Sequence, residues 1–296
     1  MEIDFLKGSW VAIVTPFNKN LEIDFDAWSN LLDFHLENRT DGIVICGTTG
    51  EGATLEFEEK KELMKIAKKK LSKKCKIMFG AGSNNTKQAC LLASKAAELG
   101  ADAVLTVTPY YNKPPQKGLV THFKEVAEST ELPVVLYNVP GRTGCNILPE
   151  TVLELSKTKN ICGIKEASGN IEQLEKLVSI LPKHFSIFSG EDALNLPIMV
   201  CGAVGTISVT ANIAPKLMKE FNDAALNNDW VKAREIHYKL LPTHKAMFVE
   251  TNPLPVKSAL AQKNLIKNYL RSPLCESSLE TDKLVKEIIT ELGVEF

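Results

Sequence analysis

Short apolar runs alternate with longer segments of helical periodicity from the N-terminus to about residue 209. Each run is nearly continuous in Val, Ile, Leu, Cys and Phe, which is typical of parallel strands buried on both faces. Turn-forming residues such as Gly, Asn and Pro follow the runs and lead into the helical segments. The runs predict eight strands, at residues 10–14, 41–46, 76–79, 103–107, 133–138, 160–165, 185–188 and 205–209.

The segments between the strands have the spacing of amphipathic helices. The first opens at Asp24, where acidic residues suit the positive end of a helix dipole. Gly100 ends another, as glycine commonly does. Beyond the first, helices are predicted at residues 56–71, 86–99, 117–130, 149–156, 171–181 and 195–200.

This repeated strand–helix unit favours an α/β fold, a (β/α)8 TIM barrel. An open doubly wound sheet is the alternative, but it predicts Gly-x-Gly-x-x-Gly after the first strand, and residues 15–18 are Thr-Pro-Phe-Asn. From about Ala214 onward the pattern is only helical, so we predict a catalytic barrel domain at 1–226 and a C-terminal helical region at 227–296. Helices are predicted there at residues 217–225, 230–241, 253–262 and 281–292.

Composition narrows the functional classes. The 296 residues are 44% hydrophobic with a net charge of −1, which favours neither nucleic acid nor a membrane as partner. No apolar run reaches the roughly 18 residues of a spanning helix, and the acidic N-terminus lacks a signal pattern. The seven cysteines contain no Cys-x-x-Cys pair, which indicates reduced thiols and a cytoplasmic protein. The five histidines have no metal-ligand spacing, so we expect no metal.

Lys165 is the candidate nucleophile, because it ends an apolar, β-branched run that reads as a buried strand. Burial of a lysine favours the neutral amine and lowers its pKa. A neutral amine can attack a carbonyl and form a Schiff base. The alternative is a lysine whose stem crosses the edge of the core while its ammonium reaches water. Glu166 follows, but strand alternation should direct it towards the helices, where it would be a structural partner.

Other candidate side chains also follow the strands, and in a barrel the loops after the strands form the face that carries the site. Each one has a structural alternative. The Gly47–Gly50 segment could be a tight turn, Tyr137 a core tyrosine and Arg142 a surface cation. Their common placement favours a site, built from Thr48, Thr49, Tyr110, Tyr111, Tyr137, Arg142, Lys165 and Gly190.

Four segments give the chain a resemblance to the dihydrodipicolinate synthases, within the N-acetylneuraminate lyase superfamily of pyruvate aldolases. The similarity extends from about Gly8 to the C-terminal helices, and the motifs after strands five and six are the most specific. The segments are Gly47-Thr-Thr-Gly-Glu51, Thr106-Val-Thr-Pro-Tyr-Tyr-Asn112, Tyr137-Asn-Val-Pro-Gly-Arg-Thr-Gly144 and Gly163-Ile-Lys-Glu-Ala-Ser-Gly169.

The resemblance implies a condensation of pyruvate with aspartate semialdehyde, without cofactor, in diaminopimelate and lysine biosynthesis. It implies that Lys165 forms a Schiff base with pyruvate. Tyr137 would move protons, and Thr48 would link it to Tyr111 in a relay. The remaining implied roles are Thr49 for the pyruvate carboxylate, Arg142 for the second substrate's carboxylate, and Gly190 and Ile207 for the pocket lining.

The resemblance also implies an assembly, because Tyr111 of one subunit would complete the site of another. A homo-oligomer is therefore expected, as a tetramer made of two dimers. Two alternatives stay open: a lyase for a sialic or keto-sugar acid, against which Thr48 and Arg142 argue, and a barrel kept for binding without turnover. The presence of the implied functional residues argues against the second, namely Lys165, Tyr137, Thr48, Tyr111 and Arg142.

Many relatives are inhibited by lysine between subunits, and the matching positions here depart from that pattern. Phe57 and Lys60 replace histidines of inhibited relatives, and Gln88 replaces a glutamate. Losing a charged partner costs about 1.5–3 kcal/mol, and the added positive charge repels lysine. We therefore predict insensitivity to lysine. The matching positions are Gly52, Ala53, Phe57, Lys60, Asn84, Gln88 and Tyr110.

Overall fold

The computed structural model describes residues 3–72 and 74–293, and within them eight strands follow one another in a closed parallel barrel. The predicted fold class is confirmed, and every predicted strand is present with ends shifted by a few residues. The strands are β1 Gly8–Ala12, β2 Gly42–Ile45, β3 Lys76–Gly80, β4 Ala103–Val107, β5 Val134–Asn138, β6 Ile161–Glu166, β7 Ser186–Ser189 and β8 Gly205–Ser208.

Helices follow the strands as the hydrophobic periodicity predicts. Side-chain caps start several of them: the Asp24 carboxylate accepts from the backbone N–H of Ala27, and the Asn170 amide oxygen accepts from that of Gln173. The helices are α1 Phe25–Glu37, α2 Phe57–Leu71, α3 Thr86–Glu98, α4 Gln116–Glu128, α5 Pro140–Thr143, α6 Pro149–Leu155, α7 Ile171–Ile180, α8 Asn195–Val200, α9 Pro215–Leu226, α10 Trp230–Ala246, α11 Leu254–Gln262 and α12 Leu279–Leu292.

Two helical segments differ from the sequence prediction. The turn after β5 was expected as loop, but Pro140–Thr143 forms one helical turn that Gly144 ends with a left-handed φ of 67°. The helix expected at residues 230–241 continues to Ala246 through Pro242. Burial explains the extension, because His244 is 1% exposed and its Nδ1 lies 2.8 Å from the Thr210 hydroxyl.

The chain divides into two compact units. The first runs to Lys7 and resumes over Ile77–Ile207, carrying most of β3, all of β4 to β7 and most of β8. Its strands are in parallel register, with Val107 opposite Tyr137, Tyr137 opposite Lys165, and Lys165 opposite Phe188. These cross-strand pairs bring the candidate residues of neighbouring strands to one level.

The second unit comprises Gly8–Lys76 and the chain from Ser208 onward, so it combines β1 and β2 with the C-terminal helices. Asn212 joins these parts, since its amide donates to the Ala12 carbonyl over 2.9 Å and accepts from the Val14 N–H over 3.1 Å. Helices α10, α11 and α12 pack together. A boundary at 226–227 stays a prediction. No helix in the described ranges combines the length and apolar character needed to cross a membrane.

Candidate active site

Lys165 is a buried lysine on a strand that is buried along its whole length. All six residues of β6 are buried, and Lys165 is 5% exposed. Its Nζ lies 4.4 Å from the centroid of the Tyr137 ring on β5. Tyr137 is itself 8% exposed. The predicted burial of Lys165 is therefore confirmed, and the alternative of an ammonium extended into water does not fit.

Gly190, directly after β7, leaves the space that the Lys165 stem occupies. A Cβ placed on Gly190 would lie 2.7 Å from Cε and 2.9 Å from Cγ of Lys165. It would also lie 2.9 Å from the Cβ of Ala167. Such distances are below van der Waals contact, so a larger residue would have to displace the lysine.

The neighbouring carboxylate of Glu191 is the charged group that the sequence analysis did not single out near Lys165. Burial raises the pKa of Glu191, and the negative charge of Asp192 adds to that effect, whereas the positive charge of Lys165 opposes it. Glu191 is therefore a carboxyl group whose pKa responds to the charge of Lys165, while burial shifts it towards the neutral form. Its place two residues after the end of β7 could have suggested this.

Glu166 points away from Lys165 along the strand and into a network of hydrogen bonds. It is 2% exposed, and its two carboxylate oxygens accept from the Asn138 amide over 3.2 and 3.1 Å. The Gln173 amide on α7 donates over 3.3 Å and the Ser168 backbone N–H over 2.7 Å. The prediction that Glu166 faces the helices as a structural partner is confirmed.

The same network fixes the chain that follows β5. Asn138 is next to Tyr137, and its amide also donates to the Asn146 oxygen over 2.8 Å, while its own oxygen accepts from the Ile147 N–H over 3.2 Å. The Asn146 amide reaches Gln173 over 2.8 Å. The sequence analysis missed these amides, although Asn138 ends a buried strand and its amide there needs hydrogen-bond partners.

Arg142 and Tyr111 lie on adjoining loops at the outside of the first unit. Arg142 is exposed in the single turn α5, beside the buried Thr143. The Tyr111 N–H donates to the Thr143 carbonyl over 3.4 Å, and the Tyr111 side chain is 89% exposed. Its φ of 70° is a left-handed conformation that is uncommon outside glycine. The loops therefore hold an aromatic ring outward in a defined backbone geometry.

Ile207 is 1% exposed in β8, at the end of the first unit. Its role in lining a pocket stays a prediction. Thr48 and Thr49 belong to the second unit, in the loop after β2. Thr49 is 2% exposed and its hydroxyl accepts from the Asn252 amide over 3.0 Å, whereas Thr48 is exposed.

A buried ion pair beneath this loop is a second feature that the sequence analysis missed. Lys257 Nζ lies 2.6 Å from Glu51 Oε1, and both side chains are 0% exposed. The signal was available, since Lys257 interrupts the apolar segment Leu254–Gln262 much as Lys165 interrupts its strand. Among residues 3–72 and 74–293, no cluster of three or more His, Cys, Asp or Glu could hold a metal ion.

Comparison with known proteins gives the same family over nearly the whole chain. Residues 5–292 match the sequence profile of the dihydrodipicolinate synthetase family. A 4-hydroxy-tetrahydrodipicolinate synthase of Thermodesulfovibrio yellowstonii is 48% identical over 288 residues, covering 97% of this chain and 99% of the relative.

Solved structures agree with the sequence comparison. The chloride-inhibited dihydrodipicolinate synthase of Acinetobacter baumannii, complexed with pyruvate, superposes with a TM-score of 0.96 at 41% identity, over 98% of this chain and 100% of that one. A monomeric dihydrodipicolinate synthase variant superposes with a TM-score of 0.96 at 42% identity, over 98% and 97% of the two chains.

Proposed function

The chain belongs to the dihydrodipicolinate synthetase family, and from that premise we propose that Lys165 forms the imine through which it condenses pyruvate with aspartate semialdehyde. The product is 4-hydroxy-tetrahydrodipicolinate, and the enzyme is a lyase of diaminopimelate and lysine biosynthesis. The observation that carries the residue assignment is the buried Lys165 amine beside the Tyr137 ring. The pyruvate complex of the Acinetobacter relative supports pyruvate as the first substrate.

The reaction begins on the Lys165 amine. In its neutral form the amine attacks C2 of pyruvate, and the carbonyl oxygen leaves as water to give an imine. The hydroxyl of Tyr137, whose ring centroid lies 4.4 Å from Nζ, would give and take the protons of this step. Thr48 and a Tyr111 from another subunit would pass those protons onward, as the family resemblance implies.

The imine then makes the pyruvate methyl group reactive. Loss of a methyl proton gives an enamine, and its carbon attacks the aldehyde carbon of aspartate semialdehyde to form the new C–C bond. The amino group of that substrate attacks the imine carbon, closes the ring and releases the Lys165 amine. Every atom is then accounted for, with one water lost.

Two carboxylates need partners during these steps. Thr49 and the adjacent backbone N–H groups would bind that of pyruvate. The Arg142 guanidinium would pair with that of aspartate semialdehyde, because planar cations suit carboxylates. Gly190 leaves room for the Lys165 stem, and Ile207 would line the pocket with an apolar surface.

We further infer a cytoplasmic homo-oligomer, a tetramer built from two dimers. The support is Tyr111, whose ring is 89% exposed although its loop is ordered by neighbouring backbone bonds. A ring that acts in a proton relay needs a site to enter, and a second subunit would provide it. The monomeric relative shows that the family's fold does not itself demand assembly.

A coupled assay of the purified protein tests this function. We expect turnover with pyruvate and aspartate semialdehyde and none with sialic or keto-sugar acids. Cleavage of a sugar acid without condensation would contradict the proposal. Absence of any turnover would favour the binding barrel.

The same assay tests the regulatory prediction. Because Lys60 and Gln88 disfavour a bound lysine, we expect activity to be unchanged at physiological L-lysine. Half-inhibition by sub-millimolar L-lysine at saturating substrates would show that the pocket residues were misinterpreted.

A further inference from the structure

The loop after β2 contains Thr48, assigned to the proton relay, and Thr49, assigned to the pyruvate carboxylate, and its backbone is unusually constrained. Cys46 and Glu51, on either side of Thr48 and Thr49, have left-handed φ values of 59° and 51°. At Gly52 a Cβ would lie 2.0 Å from the Cys46 carbonyl oxygen, so the chain closes tightly on itself. Left-handed residues other than glycine persist only where surrounding contacts hold them.

The Lys257–Glu51 ion pair supplies those contacts from the C-terminal region. Besides the 2.6 Å contact with Glu51, the ammonium donates to the Thr15 carbonyl over 2.9 Å and lies 4.3 Å from the centre of the Phe17 ring. Burial lowers the pKa of Lys257 to about 8, although the Glu51 charge opposes the change. Helix α11 thus places a fully buried cation against the residue that closes the loop.

Further bonds connect the loop to the same region. The second carboxylate oxygen of Glu51 accepts from the Arg271 backbone N–H over 3.0 Å. The Asn252 amide holds the Thr49 hydroxyl over 3.0 Å, and the Thr15 hydroxyl donates to the Gly50 carbonyl over 2.7 Å. The loop is therefore fixed at four consecutive positions, counting the Glu51 N–H bond to the Thr48 carbonyl at 3.0 Å.

Some backbone N–H groups of the loop take no part in this bonding, and two of them are adjacent. The backbone N–H groups of Thr48 and Thr49 donate to none of the residues that the structure describes. Paired N–H groups in a rigid turn form an anion site, because their dipoles need no reorganisation when a carboxylate arrives. The conformation of the loop determines whether the two N–H groups can donate to the same anion.

We propose that Lys257 is a positioning residue: through Glu51 it holds Thr48 and Thr49 in the geometry that binds the pyruvate carboxylate. This rests on the proposed function. The C-terminal helical region would then contribute to substrate binding, although it is far in sequence from the loop after β2.

A purely structural ion pair would behave differently when removed. Breaking one partner of a buried pair destabilises a protein, whereas replacing both partners with well-packed, uncharged residues of similar volume is often neutral. Stability can therefore be recovered without the pair. The geometry of substrate binding cannot be recovered in this way if the direction of the Glu51 carboxylate determines the conformation of the loop.

The test uses Lys257→Met, Glu51→Gln and the double variant, with Lys267→Met, an exposed lysine of the same region, as control. We measure the melting temperature, the pyruvate KM, the aspartate semialdehyde KM and the pyruvate concentration that half-saturates borohydride trapping on Lys165. The single variants should raise the pyruvate values about tenfold or more, with the second substrate's KM within about twofold. The double variant should regain melting temperature but keep the raised pyruvate values.

A double variant with restored stability and normal pyruvate values would overturn the proposal. If Lys257→Met fails to fold, Glu51→Gln decides alone, since it retains the shape and the acceptor for Arg271: an unchanged pyruvate KM contradicts the proposal. Absence of any Lys165 adduct in the unmodified enzyme would instead remove the proposed function, so the two failures are distinguishable.

Discussion

Gly190 sets the position of the Lys165 side chain by what it lacks. A single methyl group at this residue would come within 2.7 Å of the Lys165 stem. The Gly190 N–H is bonded to the Glu166 carbonyl over 2.8 Å, which fixes the approach. The amine can therefore keep its place beside Tyr137 only while residue 190 has no side chain.

We expect Gly190→Ala to lower kcat/KM by about a hundredfold, because a displacement of about 1 Å at a reacting group can cost that much. The melting temperature should fall as well, since the lysine can move aside but the Cβ of Ala167, at 2.9 Å, cannot. Gly141→Ala is the matched control, as a Cβ there meets nothing within 4 Å. Equal activity of the two variants would argue against a spatial role for Gly190.

At the scale of elements, strand alternation gives the ends of β5 and β6 two separate tasks. Tyr137 and Lys165 form one cross-strand pair, and Asn138 and Glu166 form the next, on the opposite face. In the second pair the Glu166 carboxylate accepts hydrogen bonds from the side-chain amides of Asn138 and Gln173. The bonded pair of Asn138 and Glu166 thus holds the adjacent pair of Tyr137 and Lys165 in register.

Glu166→Gln should disturb that register. The new amide would face the donors of Asn138 and Gln173, leaving buried groups unpaired at a cost of about 1–3 kcal/mol. We expect lower thermal stability together with at least a tenfold loss of kcat. The exposed Glu172→Gln on α7 is the control. A loss of kcat with full stability would point to Glu166 as the base.

Much of this element structure follows from sequence, because near-continuous apolar runs can be satisfied only by buried strands. The extension of α10 past Pro242 could not be predicted: proline removes one helical hydrogen bond, and buried His244 and Ala246 compensate through tertiary packing. The candidate site likewise has features that the sequence predicts and features that it does not. Lys165 was visible in its strand, but the Glu51–Lys257 pair joins segments 206 residues apart, and no local pattern reports such a contact.

At the scale of the whole molecule, the exposed Tyr111 makes a claim about assembly. We predict that Tyr111→Phe slows turnover, and that mixing it with Lys165→Ala protein restores part of the activity after subunits exchange. One mixed site then has both an intact lysine and an intact tyrosine. Failure to recover activity, when a label shows that exchange occurred, would indicate that each chain completes its own site.

The most direct measurement concerns the covalent intermediate. Borohydride reduction in the presence of pyruvate should leave a pyruvate-derived adduct on the peptide that contains Lys165, and Lys165→Ala should abolish it. Lys257 provides an internal comparison in the same digest, since it is also buried but is paired with Glu51. An adduct on Lys165 alone is the predicted result. No adduct, or an adduct on Lys257 or another lysine, would contradict the assignment of Lys165 as the nucleophile.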